Sequence, residues 1–154
     1  MIIRTGKQTD DNAIYDLVKD AFSTMDHASG DEQNLVGRLR KSAGYVPELE
    51  LVAELDGQIA GHLMLTEIPV KNTKQLILAP LAVAPDKQKQ GIGGALIKRA
   101  HEIAKKGGLS ACAFGRPPGI LPAFRLPSGK RFRTDVRAGN PAGMFYGGGF
   151  DGRL

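Results

Sequence analysis

At 154 residues, with 42% apolar and 24% charged side chains, the chain has the composition of one ordinary globular domain large enough for a core of its own. No apolar run approaches the roughly 20 residues of a membrane span, and the start MIIRTGKQTDD lacks the apolar region of a secretory leader. The single cysteine, Cys112, excludes an intramolecular disulfide and makes a reducing cytoplasm the expected setting; three widely spaced histidines offer no metal-ligand pattern, so no metal is expected.

The net charge of +5 is unevenly placed. Residues 1–113 hold 14 basic and 14 acidic side chains, whereas residues 114–154 hold seven basic against two acidic ones. The same last 41 residues carry nine glycines and five prolines, a shift that marks a boundary or a tail.

In chain order, Met1 to Thr5 is a short β-prone start. Asp10 or Asp11 can cap a helix over Asn12–Phe22, with Ile14, Leu17, Val18, Ala21 and Phe22 on one face. After a polar loop at Ser23–Gly30, Asp31 caps a second helix in which Leu35, Val36 and Leu39 face inward and Arg38, Arg40 and Lys41 stay in water. Glu48–Leu55 and Gln58–Val70 read as strands joined by Asp56-Gly57, a strong hairpin signal. Gly61 inside the second of these marks a bulge or a close backbone approach.

Leu76–Val83 is a continuous apolar run ended by Pro85, and reads as a buried strand. Gln88–Gly94, QKQGIGG, is a glycine-rich turn, and Ala95–Lys106 is an amphipathic helix with Leu96, Ile97, Ala100, Ile103 and Ala104 on its apolar face. A strand that feeds a helix through glycines presents unpaired N–H groups and the positive end of the helix dipole, which suits a phosphate. Glycine at 91 and 93 lets such a group approach the backbone. Something strand-like follows at Leu109–Phe114.

A Walker loop needs GxxxxGK[ST] and a dinucleotide fingerprint needs GxGxxG; neither is present. The spacing Gln88-x-x-Gly91-x-Gly93, preceded by Leu81-Ala82-Val83-x-Pro85, resembles the acetyl-CoA-binding motif of the GNAT superfamily of N-acetyltransferases. The element order β-α-α-β-β-β-α extends the resemblance over residues 1–113. It implies an α/β GNAT fold, a single domain with a mixed, mostly antiparallel sheet and helices on both faces, whose segment 114–154 is atypical. It also implies acetyl-CoA as co-substrate and an amine of a small molecule or protein as acceptor. Backbone groups of Leu81, Ala82 and Val83 would meet the pantetheine arm, and Gln88, Lys89, Gln90, Gly91, Ile92, Gly93, Gly94 and Ala95 would wrap the pyrophosphate. Lys87 and Lys89 read equally well as a solvated loop. Pro80 fits a strand edge exposed where the family's fourth and fifth strands splay.

The resemblance stops after Phe114, where the family has a helix with a tyrosine pair before an Arg-Phe-Gly-Phe-like stretch. Codons can be chosen for Ile120–Phe132 that, read one register earlier, spell EYYRRFGFRPASA, and Asn140–Gly152 similarly permits IPPECFMAADLTG. A shifted reading frame or a divergent basic tail accounts for the change. The tyrosine that the family commonly uses as acid is absent in this frame; Tyr146 does not occupy its place. Glu67 and Glu32 are the candidates for a base, each also readable as a solvated-face or helix-start charge. His62 reads as a structural histidine and Cys112 as a small buried residue, so no catalytic side chain is assigned. Further readings are a turnover-deficient acyl-CoA-binding module, a nucleic-acid contact through the basic tail, and a homodimer.

Overall fold

The computed structural model describes residues 1–23, 28, 30–70, 73–109 and 112–113. The expectations for residues 114–154, Tyr146 included, and for the Cys112 side chain lie outside these. The elements run β1 (Ile2–Thr5), α1 (Asp11–Ser23), α2 (Glu32–Arg40), β2 (Tyr45–Leu55), β3 (Gln58–Val70), β4 (Thr73–Val83), α3 (Ile92–Lys106) and β5 (Cys112–Ala113). β1 to β4 form an antiparallel meander in the order β1-β2-β3-β4, and β5 joins β4 in parallel. No helix among the described residues is long and apolar enough to cross a membrane.

The two faces of the sheet are covered by different helices. Ile14, Leu17, Val18, Ala21 and Phe22 of α1, with Val36 and Leu39 of α2, pack on Val52, Met64, Ala79 and Ala82. Ile92, Leu96, Ile97, Ala100 and Ala104 of α3 pack on Leu49, Leu51, Leu63, Leu65, Leu76 and Leu78. Alternate strand residues supply the two sets, as the two-residue strand period requires. Fully burying a side chain such as Leu96 contributes about 2–3 kcal/mol.

Several local expectations are corrected. Asp10 and Asp11 turn to other partners: Asp10 accepts the Lys7 backbone N–H at 2.8 Å and closes a 3-10 turn at Gln8–Asp10 ahead of α1, while Asp11 accepts from Arg40. Asp31 stands at the N-cap of α2, but its carboxylate bonds Asn34 and Arg38 side chains, each at 2.6 Å. Arg40 is not left in water; it turns inward, as described below. β2 begins at Tyr45 and β4 at Thr73, both earlier than their apolar runs. α3 begins at Ile92, so Gly93 and Gly94 are helical and the glycine turn is shorter than its sequence.

The hairpin holds as expected, with φ of 50° at Asp56 and 78° at Gly57, the left-handed pair that a two-residue turn demands. Beyond it the register slips: Glu54 pairs with Ile59, but Ala53 pairs with Gly61, so Ala60 is an extra residue in β3. A second slip lies between β3 and β4, where Leu65 pairs with Leu78 and Leu63 with Leu81. The surplus Ala79–Pro80 therefore forms a bulge, a position that tolerates proline, and Pro80 is buried there.

Candidate cofactor site

β4 leads into α3 through residues 84–91, and this connection carries the glycine motif. Pro85–Lys87 makes one 3-10 turn, and Lys89 and Gly91 have φ of 61° and 82°. Gly91 is the N-cap of α3, and nothing lies within 4 Å of where its Cβ would stand. The first helical bond runs from the Ala95 N–H to the Gly91 carbonyl at 3.0 Å, so the N–H groups of Ile92, Gly93 and Gly94 precede the intrahelical ladder. The first turn contains no acidic residue. The helix therefore offers open N–H groups, the positive end of its dipole and an unobstructed approach at Gly91, the three requirements for an anion.

The loop is held from within. Gln88 Nε2 donates to the Val83 carbonyl at 3.3 Å, and Gln90 Nε2 donates to the Asp86 carbonyl at 3.3 Å. Lys87 pairs with Asp86 at 3.0 Å, whereas Lys89 is exposed. On the outer side of β4, strand pairing among the described residues is confined to Leu76–Cys112 and Ile77–Ala113. Leu81, Ala82 and Val83 lie further along, past the Ala79–Pro80 bulge, on a stretch whose pairing among the described residues is with β3. A bulge bends its strand, and this one falls between the part of β4 paired with β5 and Leu81–Val83. Gln88 to Ala95 and Leu81 to Val83 thus sit at one end of the sheet.

Of the two candidate bases, Glu67 lies toward the other end of β4. Glu67 pairs across to Leu76, at least five residues along β4 from Leu81, a distance of about 16 Å at strand rise. It is partly buried and accepts from Lys74 Nζ at 2.9 Å. Glu32 is 4% exposed and accepts the Gly30 backbone N–H at 3.1 Å, a helix-start arrangement. His62 pairs with Ala82 on β4.

His62 belongs to a buried cluster that the sequence reading missed. Its hub is Glu50 on β2, 1% exposed. Glu50 accepts from Arg40 Nη2 at 2.6 Å and Nε at 3.1 Å, from Tyr45 Oη at 2.6 Å, and from His62 Nε2 at 3.2 Å. Arg40 Nη1 continues to Asp11 at 2.7 Å, which ties α1, α2, β2 and β3 together. Burial alone would raise the Glu50 carboxyl; the hydrogen bonds from His62, Arg40 and Tyr45 outweigh it and hold the pKa down to about 2. Burial, aided by that carboxylate, pushes the Tyr45 hydroxyl up to about 12. An ionised carboxylate only accepts, so Nε2 of His62 carries a hydrogen, and Nδ1 is left without a partner among the described residues. A cavity of about 240 Å³ opens beside Lys7, Asp11, Arg40, Tyr45 and Glu50. β2 carries acids at 48, 50 and 54, so its composition did not single out Glu50.

Among the described residues no group of histidine, cysteine or acidic side chains could hold a metal ion. The sequence profile of the acetyltransferase (GNAT) family matches residues 12–116. YjhQ of Escherichia coli K12, an uncharacterized N-acetyltransferase, is 37% identical over 75 residues, covering 46% of this chain and 41% of that relative. The alignment thus spans less than half of the curated relative's length. Among solved structures, a GNAT-family acetyltransferase of Brucella melitensis in complex with acetyl-CoA superposes with a TM-score of 0.70 at 28% identity, over 77% of both chains. YhbS of Escherichia coli in complex with CoA superposes with a TM-score of 0.65 at 27% identity, over 73% of this chain and 61% of that one. The family profile covers well over half of the sequence and the fold agrees with it: the chain belongs to the GNAT acetyltransferase family.

Proposed function

We propose that this chain is an N-acetyltransferase that moves the acetyl group of acetyl-CoA to a primary amine of a small molecule or protein by direct attack in a ternary complex. The observation that carries this reading is the N-terminus of α3, where left-handed Gly91 leaves open space and the N–H groups of Ile92 to Gly94 precede the helical ladder. Gln88 to Ala95 would hold the pyrophosphate and Leu81 to Val83 the pantetheine arm. The complexes of the Brucella melitensis and YhbS proteins with acetyl-CoA and CoA support that cofactor. In the reaction the amine nitrogen attacks the thioester carbonyl, the new C–N bond replaces the C–S bond, and the sulfur leaves as a thiolate that takes a proton while the amine gives one up. Holding the two reactants together supplies much of the acceleration by itself.

The test is isothermal titration of the full chain with acetyl-CoA, beside Gly91→Leu. Micromolar binding is expected for the wild type and none for the variant, whose side chain would occupy the open approach in a strained φ. Unchanged affinity in Gly91→Leu removes the pyrophosphate assignment. A panel of amines then decides between an enzyme and a turnover-deficient acyl-CoA-binding module: affinity with no acetyl product favours the module. That second reading draws on the family match ending at residue 116, two residues beyond the compositional change at 114. We attribute the change to a shifted reading frame, which the nucleotide sequence of the gene tests directly.

A further inference from the structure

Gly61 sits where three parts of the molecule converge. In β3 it pairs with Ala53 of β2 on one side and with Val83, the last residue of β4, on the other. A Cβ at this position would lie 2.9 Å from Ile92 Cγ2 and 3.0 Å from Leu96 Cδ1, closer than packed side chains tolerate. Ile92 is the first residue of α3, 3% exposed, and follows directly on Gly91. Beside Gly61, the extra residue Ala60 accepts the Ala84 backbone N–H at 2.9 Å, where the chain leaves β4. Both ends of the 84–91 connection therefore rest on the Ala60–Gly61 pair.

We propose that Gly61 is a positioning residue for the cofactor: its missing side chain lets the first turn of α3 settle onto the sheet, and so sets the distance between the end of β4 and the N–H groups of Ile92 to Gly94. The inference rests on the reading of Gln88 to Ala95 as the pyrophosphate cradle. The two contacts differ in how they can yield. Leu96 Cδ1 is the far end of a flexible side chain and can swing aside. Ile92 Cγ2 is fixed to a branched Cβ, so relief there requires the helix turn itself to rise, carrying Gly91 and the open N–H groups with it. The cradle would then meet the pyrophosphate off-register from the Leu81–Val83 stretch, which costs contacts made to the cofactor in ground state and transition state alike.

The experiment compares wild type, Gly61→Ala, Ile92→Leu and the double variant by titration with CoA and by acetyl transfer to an amine substrate. Ile92→Leu removes the branch methyl at nearly constant volume. Gly61→Ala is expected to weaken CoA binding about tenfold and to raise KM for acetyl-CoA while kcat changes little. The double variant is expected to recover most of the affinity that Gly61→Ala loses, since Ile92 serves the cradle through its backbone N–H, which Ile92→Leu keeps. A folded Gly61→Ala that binds CoA like the wild type overturns the proposal and leaves the cradle standing. Weak binding in both Gly61→Ala and the double variant overturns it too, since a general loss of packing would not be mended by moving one methyl. If Gly61→Ala fails to fold, the double variant decides alone, and near-wild-type binding supports the proposal. A wild type that binds no CoA removes the cradle and this inference together.

Discussion

Replacing Arg40 by alanine tests the charge cluster that joins α1, α2, β2 and β3. In the folded protein Arg40 holds Glu50 through Nη2 and Nε and reaches Asp11 through Nη1. Its removal leaves the Glu50 carboxylate, 1% exposed, with Tyr45 and His62 as its remaining side-chain donors. Breaking a buried ion pair in this way costs about 3–5 kcal/mol, because the surviving charge stays desolvated. Arg40 shares with His62 and Tyr45 the hydrogen bonds that hold the Glu50 carboxyl below its ordinary value against the cost of burial. At about 2–4 °C per kcal/mol for a chain of this size, Arg40→Ala lowers the melting temperature by roughly 6–20 °C at neutral pH.

The assay is thermal unfolding followed by circular dichroism from neutral pH down to about pH 2. The folded pKa of Glu50 lies below its unfolded value, so its stabilisation is complete above about 4.5 and is lost as pH falls toward about 2. The gap between wild type and Arg40→Ala therefore narrows in that window. Glu50→Gln is expected to destabilise in the same direction, and the double variant by less than the sum, since the partners share one interaction. A change below about 2 °C for Arg40→Ala, or strict additivity in the double variant, refutes the argument.

Two further outcomes follow from other positions. A Cβ at Gly44 would collide with the Glu67 carbonyl oxygen, a backbone atom, and would disturb the 2.8 Å bond from the Glu67 N–H to the Gly44 carbonyl. Gly44→Ala should therefore cost about 3 kcal/mol or more; a chemical denaturation midpoint equal to that of the wild type contradicts the close approach. Burial lowers the His101 pKa on α3, so its contribution is present above the ordinary 6.5 and declines as pH falls through its lower folded value. His101→Gln should flatten the acid slope of stability just below 6.5, and an unaltered slope assigns that slope to other groups.

The sequence made the helix faces legible because a 3.6-residue period leaves a mark at every turn: Ile14, Leu17, Val18, Ala21 and Phe22 are the buried residues of α1. It also located the Asp56-Gly57 hairpin and the end of β4, where glycine chemistry is local. What it concealed is non-local. Continued without a slip, the hairpin register would place Glu50 across from Leu63, with His62 on the opposite face. The extra Ala60 shifts the pairing to Glu50–Met64 and Val52–His62, which puts Glu50 and His62 on one face. A bulge of one residue writes no periodic signature, so neither the cluster nor the inward turn of Arg40 could be read from spacing. Glu67 and Glu32 attracted notice as acids near expected elements, yet each has a local partner in Lys74 and Gly30.

The same slip explains why the two sides of the sheet can serve different ends. Gly61 and His62 are consecutive and point to opposite faces. Because Ala60 is inserted before them, Gly61 lies beneath Ile92 and Leu96, and His62 turns to Glu50. Were the same sequence paired without the bulge, His62 would meet α3, where even a Cβ is too close, and Gly61 would leave Glu50 short of a donor. The β3 bulge thus lets α3 approach on one face and completes the Glu50 cluster on the other, while the β4 bulge at Ala79–Pro80 shifts Leu81 to Val83 into register with both. Position along β3 matters as much as residue type: Gly61 faces Val83 and His62 faces Ala82, so the stretch assigned to the pantetheine arm is braced from α3 and from the charge cluster through adjacent residues of one strand.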